Sequence, residues 1–96
     1  MARVRDLCAA ADIVLENFRP GVMQRLGLGY EALRERRPQL VYCSVTGYGQ
    51  DGPYAKKGAF DVTVQAISGL MSVTGENDSI PVKCGVPVAD FTAGLY

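Results

Sequence analysis

The chain has 96 residues, 48% of them hydrophobic and 21% charged, with ten basic residues against ten acidic ones. That is one domain's length or less, and the mix excludes a disordered tail, a collagen-like repeat and a low-complexity linker. With no net charge, bulk electrostatics favours neither nucleic acid nor an anionic membrane surface.

Val4, Leu7, Cys8 and Ala11 recur at helical spacing and predict a helix over 4–11. Asp12-Ile-Val-Leu15 is a short β-branched run and reads as a buried strand. A turn follows from Glu16 to Gly21. Pro20 suits the first turn of a helix over 20–26, which Gly27 and Gly29 end. A second short helix, 30–37, is rich in Arg and Glu and stops at Pro38. Arg34, Arg36 and Arg37 alternate there with Glu31 and Glu35 and read as a solvated face.

Leu40-Val-Tyr-Cys-Ser-Val45 is the clearest strand, apolar or small almost throughout, as in a parallel strand covered on both faces. A glycine-rich loop over 46–53 follows. Helical spacing returns over 60–73 through Val64, Ile67, Leu70 and Met71. After a polar turn at 75–79, residues 82–88 read as extended, and Asp90 opens a last helix. This order predicts an α/β fold with a parallel sheet. A sheet of two or three strands would leave apolar faces uncovered. The chain therefore reads as an internal segment of a longer protein, marginally stable without partners.

There is no histidine, which removes imidazole triads and His–metal sites from this chain. Cys8, Cys43 and Cys84 are odd in number and widely spaced, with no C-x-x-C. Neither a disulfide framework nor a metal site is suggested, and a reducing, cytoplasmic compartment fits. No apolar run approaches membrane-spanning length.

Three places could carry chemistry. Asp90, at the start of the last helix, sits where backbone N–H groups and the helix dipole favour a carboxylate. Such an Asp can cap the helix or act as a nucleophile toward an activated acyl group. Residue type and position leave both roles open. Asn17, Arg19 and Arg25 surround a helix N-terminus and could hold a phosphate, or could be an exposed turn. The loop Gly47-Tyr-Gly-Gln-Asp-Gly-Pro53 lets backbone approach a ligand but matches neither G-x-G-x-x-G nor a P-loop. Lys56 and Lys57 after it read as a surface pair. Asp61 reads as a cap or first-turn acid, with Gln65 packing or capping nearby.

Taken together, three stretches resemble family III CoA-transferases, the CaiB/BaiF type that includes formyl-CoA transferase. They are Ala11-Asp-Ile-Val-Leu-Glu-Asn-Phe-Arg-Pro-Gly21 with Leu26-Gly-Leu-Gly-Tyr30, then Ser44 through Pro53 with Phe60-Asp61, and Gly85-Val-Pro-Val-Ala-Asp-Phe-Thr-Ala-Gly94. The resemblance implies a Rossmann-like parallel sheet with flanking helices, residues 1–96 being part of the family's large domain, truncated at both ends. It implies an interlocked homodimer in the full-length protein. Asp90 falls on the family's nucleophilic aspartate. Asn17, Phe18, Arg19, Val22 and Arg25 fall on positions lining the CoA nucleotide, and Phe60 beside the thioester.

The activity implied is movement of CoA between an acyl-CoA and a carboxylic acid through an aspartyl anhydride and an aspartyl-CoA thioester. CoA enters as substrate, and no metal is required. Related acyl-CoA racemases carry His-Asp where this chain has Phe60-Asp61. Phe60 cannot abstract a proton, so racemase chemistry is disfavoured. The alternative is a truncated chain that binds CoA weakly or not at all, and the isolated 96 residues are expected to be inactive.

Overall fold

A computed structural model describes residues 2–96. They divide into two compact units, one running to Lys57 and the other from Gly58 to Tyr96. Among the described residues, no helix is long and apolar enough to cross a membrane.

The first unit runs α1 (Ala2–Ala10), β1 (Ile13–Glu16), α2 (Val22–Arg25), α3 (Tyr30–Arg34) and β2 (Val41–Ser44). The strands are parallel, with Ile13 opposite Val41 and Glu16 opposite Ser44. Backbone bonds from Val41 N–H to Asp12 and from Val45 N–H to Glu16 extend the ladder at both ends. Alternation along β1 turns Val14 and Glu16 inward and Ile13 and Leu15 outward.

The core is Val14, Met23, Leu28, Leu33 and Leu40, with Cys8, Ala11 and Tyr42 packed against it. Leu33 is its most enclosed member, 1% exposed. The two short helices reach this core through one turn. Gly27, at φ 67°, donates to the Gln24 carbonyl, and Leu28 N–H donates to the Met23 carbonyl. This is the Schellman pattern that ends a helix, and its usual apolar contact is supplied by Met23 and Leu28, both in the core.

Four expectations are corrected in this unit. The first helix begins at Ala2 and leaves Leu7 exposed, so its apolar stripe is only half used. The helix expected over 30–37 ends at Arg34. The basic face beyond it is not simply solvated. Arg36 pairs with Asp6 at 3.4 Å, and Arg37 donates to the Ala10 carbonyl at 2.9 Å and pairs with Asp12. Together they tie the end of α3 to α1 and to the start of β1. Finally, β2 is not covered on both faces. Ile13, Leu15, Val41 and Cys43 form an exposed strip on one side of the sheet. In the loop that follows, the Lys57 ammonium lies 4.0 Å from the Tyr54 ring centre.

The second unit holds α4 (Asp61–Ile67), a 3-10 turn (Leu70–Val73) and α5 (Val88–Leu95), with α4 and α5 packed together. The single helix expected over 60–73 is broken at Gly69. Its φ of 83° is left-handed and cannot continue an α-helix. Residues 82–87 form no strand. Pro81 and Pro87 at either end remove ladder donors, so β-branched composition alone does not make a strand there. The residues preceding α5 are therefore irregular backbone, and Asp90 does not lie at a strand-to-helix junction.

Candidate active site

The loop after β1 is braced from both sides. The buried Glu16 turns its carboxylate forward, and Oε2 accepts the Phe18 N–H at 2.7 Å. The Asn17 amide donates to the Val45 carbonyl at 2.7 Å, joining the exits of the two parallel strands. Phe18 and Arg19 are left exposed on the crest. Gly21, at φ 85°, then turns the chain into α2. A β-carbon on Gly21 would stand 3.2 Å from the Arg25 guanidinium, so Arg25 folds back over the helix start. Val22, the first residue of α2, is half-buried. Among the described residues, neither Arg19 nor Arg25 is ion-paired.

The fold thus brings Asn17, Phe18, Arg19, Val22 and Arg25 onto one loop and one helix turn. Two uncompensated guanidinium groups and an exposed ring on a braced crest can meet an anionic, partly aromatic ligand. Asn17 also has a plain structural task, because its amide is committed to Val45.

In the second unit, Phe60 immediately precedes α4 and is exposed. The Thr63 hydroxyl accepts the Phe60 N–H at 2.9 Å and holds this turn. Asp61 is the first residue of α4, and its carboxylate reaches out to α5. Oδ1 accepts the Ala89 N–H at 2.8 Å and the Asp90 N–H at 3.3 Å. Oδ2 accepts from the Gln65 amide at 2.5 Å. Gln65 is wholly enclosed, and its own oxygen accepts the Cys84 N–H at 2.8 Å.

Asp90 is the third residue of α5, in its first turn, and is exposed. It is not the cap, a place taken by Pro87. The capping is done by Asp61, which the residue pattern marks only as an acid near a helix start. One sequence signal for this exists. A helix that starts at a proline has no side-chain acceptor of its own, so its first amides need one from elsewhere. An exposed carboxylate on such a turn can attack an activated acyl carbon.

Comparison with known proteins places this geometry in context. The model described as CoA-transferase family III matches residues 1–96. A succinate–glutarate CoA-transferase of Agrobacterium fabrum is 52% identical over 99% of the chain. The human succinyl-CoA:glutarate CoA-transferase is 43% identical over 97% of it. A crystal structure of a CaiB/BaiF family protein from Brucella suis superposes with a TM-score of 0.86 at 49% identity, covering 91% of this chain and 23% of that one. The chain spans 24% and 21% of the two curated relatives' lengths.

Proposed function

This chain belongs to CoA-transferase family III, and we propose that it contributes the nucleophile and part of the CoA site of an enzyme moving CoA between an acyl-CoA and a carboxylic acid. The observation that carries the reading is the state of Asp90. It is exposed in the first turn of α5, while Asp61 occupies the amides beside it. Among the described residues of its unit, nothing donates a hydrogen bond to its carboxylate.

In this reading the Asp90 carboxylate attacks the acyl-CoA carbonyl and expels CoA thiolate, leaving an aspartyl–acyl anhydride. The thiolate returns to the aspartyl carbonyl and releases the first acid, leaving an aspartyl-CoA thioester. The acceptor carboxylate attacks that carbonyl, forms a new anhydride and expels the thiolate again. Attack of the thiolate on the new acyl carbon gives the product acyl-CoA and frees Asp90. Each bond broken is matched by one of its kind, so no outside energy source is required.

Asn17, Phe18, Arg19, Val22 and Arg25 would line the CoA nucleotide, with Phe60 beside the thioester. Binding energy from the remote nucleotide would then hold the reacting carbonyl in place. Four- and five-carbon dicarboxylates are the proposed donor and acceptor acids. The Agrobacterium and human relatives, a succinate–glutarate and a succinyl-CoA:glutarate CoA-transferase, support that choice. Residues 1–96 act in this proposal as part of a large α/β domain in a cytoplasmic homodimer. Taken alone they are catalytically silent in this proposal, since they span 24% of the Agrobacterium relative's length and bring neither the partner subunit nor the rest of the pocket.

The test uses a full-length polypeptide containing this segment. It is incubated with a panel of acyl-CoA donors including succinyl-CoA, treated with hydroxylamine and mapped by mass spectrometry. A hydroxamate at Asp90, absent in Asp90→Ala, is expected. Folded, CoA-bound protein that leaves Asp90 unmodified with every donor refutes the covalent reading.

A further inference from the structure

The first turn of α5 is assembled from outside the helix. Pro87, at the cap position, offers neither a side-chain acceptor nor an N–H. Val88 N–H is taken by the Val86 carbonyl at 2.8 Å. The next two amides, Ala89 and Asp90, both donate to Oδ1 of Asp61, which lies 28 and 29 positions earlier in the chain. The other oxygen of that carboxylate is held by the Gln65 amide, and Gln65 is in turn held by Cys84 N–H. Asp61 therefore cannot rotate without breaking a bond at each end.

The consequence for Asp90 follows from its place in the helix. An acid at the third position ordinarily reaches back to the N–H of the cap residue. Pro87 has none to give. The remaining first-turn amides are occupied. The Asp90 backbone is fixed, and its carboxylate is denied the backbone partners that would draw it down onto the helix end.

We infer that Asp61, clamped by the buried Gln65, is the positioning residue for Asp90: it fixes the turn that carries the nucleophile and keeps the adjacent amides from capturing its carboxylate. This rests on the reading of Asp90 as nucleophile. Asp61 touches no substrate in this scheme and acts only through Asp90.

The experiment compares wild type, Asp61→Ala and Asp61→Asn in the full-length polypeptide. Two quantities are read: the single-turnover rate of hydroxamate formation at Asp90 with succinyl-CoA, and the Kd for CoA. Asparagine keeps one acceptor oxygen for the Ala89 and Asp90 amides but sets its NH2 against the Gln65 NH2, so Asp61→Asn keeps the cap, releases the clamp and should lose about 2- to 8-fold in trapping rate. Alanine frees both amides and the turn, and Asp61→Ala should lose about 10- to 100-fold in rate. Kd for CoA should stay within about 2-fold in both, because Asp61 acts on positioning and not on binding. Undiminished trapping in Asp61→Ala overturns the inference, and so does an equal loss in the two variants.

Should Asp61→Ala not fold, amide hydrogen exchange of the wild type decides. The Ala89 and Asp90 amides should be protected although they stand in the first turn of a helix, where amides are ordinarily free to exchange. Unprotected amides overturn the inference. Failure of the underlying reading is distinct, since wild type itself would then give no hydroxamate at Asp90.

Discussion

Replacing Gln65 by leucine tests whether the polar chain between α4 and α5 holds the second unit together. Leucine has a similar volume and leaves no large cavity, so the change isolates the hydrogen bonds. Gln65 is 0% exposed, and its amide donates to the Asp61 carboxylate at 2.5 Å. A hydrogen bond to a charged group contributes about 1.5–3 kcal/mol, and an unsatisfied buried donor costs about 1–3 kcal/mol. Cys84, whose N–H would be stranded, is half-buried, so the lower end of the second range applies. Greater burial of apolar surface by leucine offsets about 1 kcal/mol. The net loss is about 1.5–3 kcal/mol, against about 0.5 kcal/mol for an ordinary surface exchange.

The assay is native-state hydrogen exchange on the peptides of α4 and α5 in the full-length protein. That loss corresponds to a fall in protection of about 10- to 150-fold. A companion variant, Gln65→Glu, keeps an oxygen for Cys84 N–H but sets a second carboxylate against Asp61. Burial and the like charge favour the protonated form of the introduced carboxyl in the folded state. Its stability deficit should therefore deepen as pH rises and shrink as pH falls. A fall in protection below about 3-fold for Gln65→Leu, or a flat profile for Gln65→Glu between about pH 5 and 8, refutes the reasoning.

Two further outcomes concern the first unit. Leu33→Ala should destabilise it by about 2–5 kcal/mol and Leu33→Met by less than about 1.5 kcal/mol, read from denaturant unfolding. Leu33 is 1% exposed and packs among Val14, Met23, Leu28 and Leu40. The Tyr42 phenol, which donates to the Leu28 carbonyl at 3.1 Å, is raised above its ordinary value of 10.0 by burial first, then by Glu16 and Cys8. Its contribution is therefore complete below about pH 10 and is lost as pH climbs through the folded-state value. Tyr42→Phe should flatten the alkaline decline of stability, and an unchanged slope would show that Tyr42 does not cause it.

Local chemistry made much of this chain readable. Gly27 and Leu28 announce a helix end because the Schellman turn needs a left-handed residue and an apolar one next to it. Leu40 to Val45 reads as a strand from composition alone, and its pairing with Ile13 to Glu16 follows from the helices between them. The parallel α/β reading rests on those two runs. What escaped lies in longer-range geometry. Gly69 stands inside a stretch with good helical spacing, and only its backbone angle separates α4 from the 3-10 turn. Arg36 and Arg37 look like a wet helix face until α1 folds beside them. Asp61 looks like an acid at the start of its own helix, and its principal partners belong to another. Periodicity reports which face of an element is apolar, and it says nothing of a hydrogen bond made 28 positions away.

The parallel pairing of β1 with β2 sets an order of events during synthesis. Paired residues stand 28 positions apart, as Ile13 does from Val41, so the sheet cannot start to zip until the whole crossover has been made. At about 5–20 residues per second, β1 leaves the ribosome roughly 1–6 s before its partner. Closing that span carries an entropic cost on the order of 3 kcal/mol. The turn at Gly27, closed by bonds spanning only a few residues, can form within the wait and draw Met23 and Leu28 together. Strand zipping then closes over a nucleus already collapsed, and Ile13 and Leu15 spend the interval as bare strand edge. The nascent chain is most open to chaperone capture, or to pairing with the wrong strand, in those few seconds.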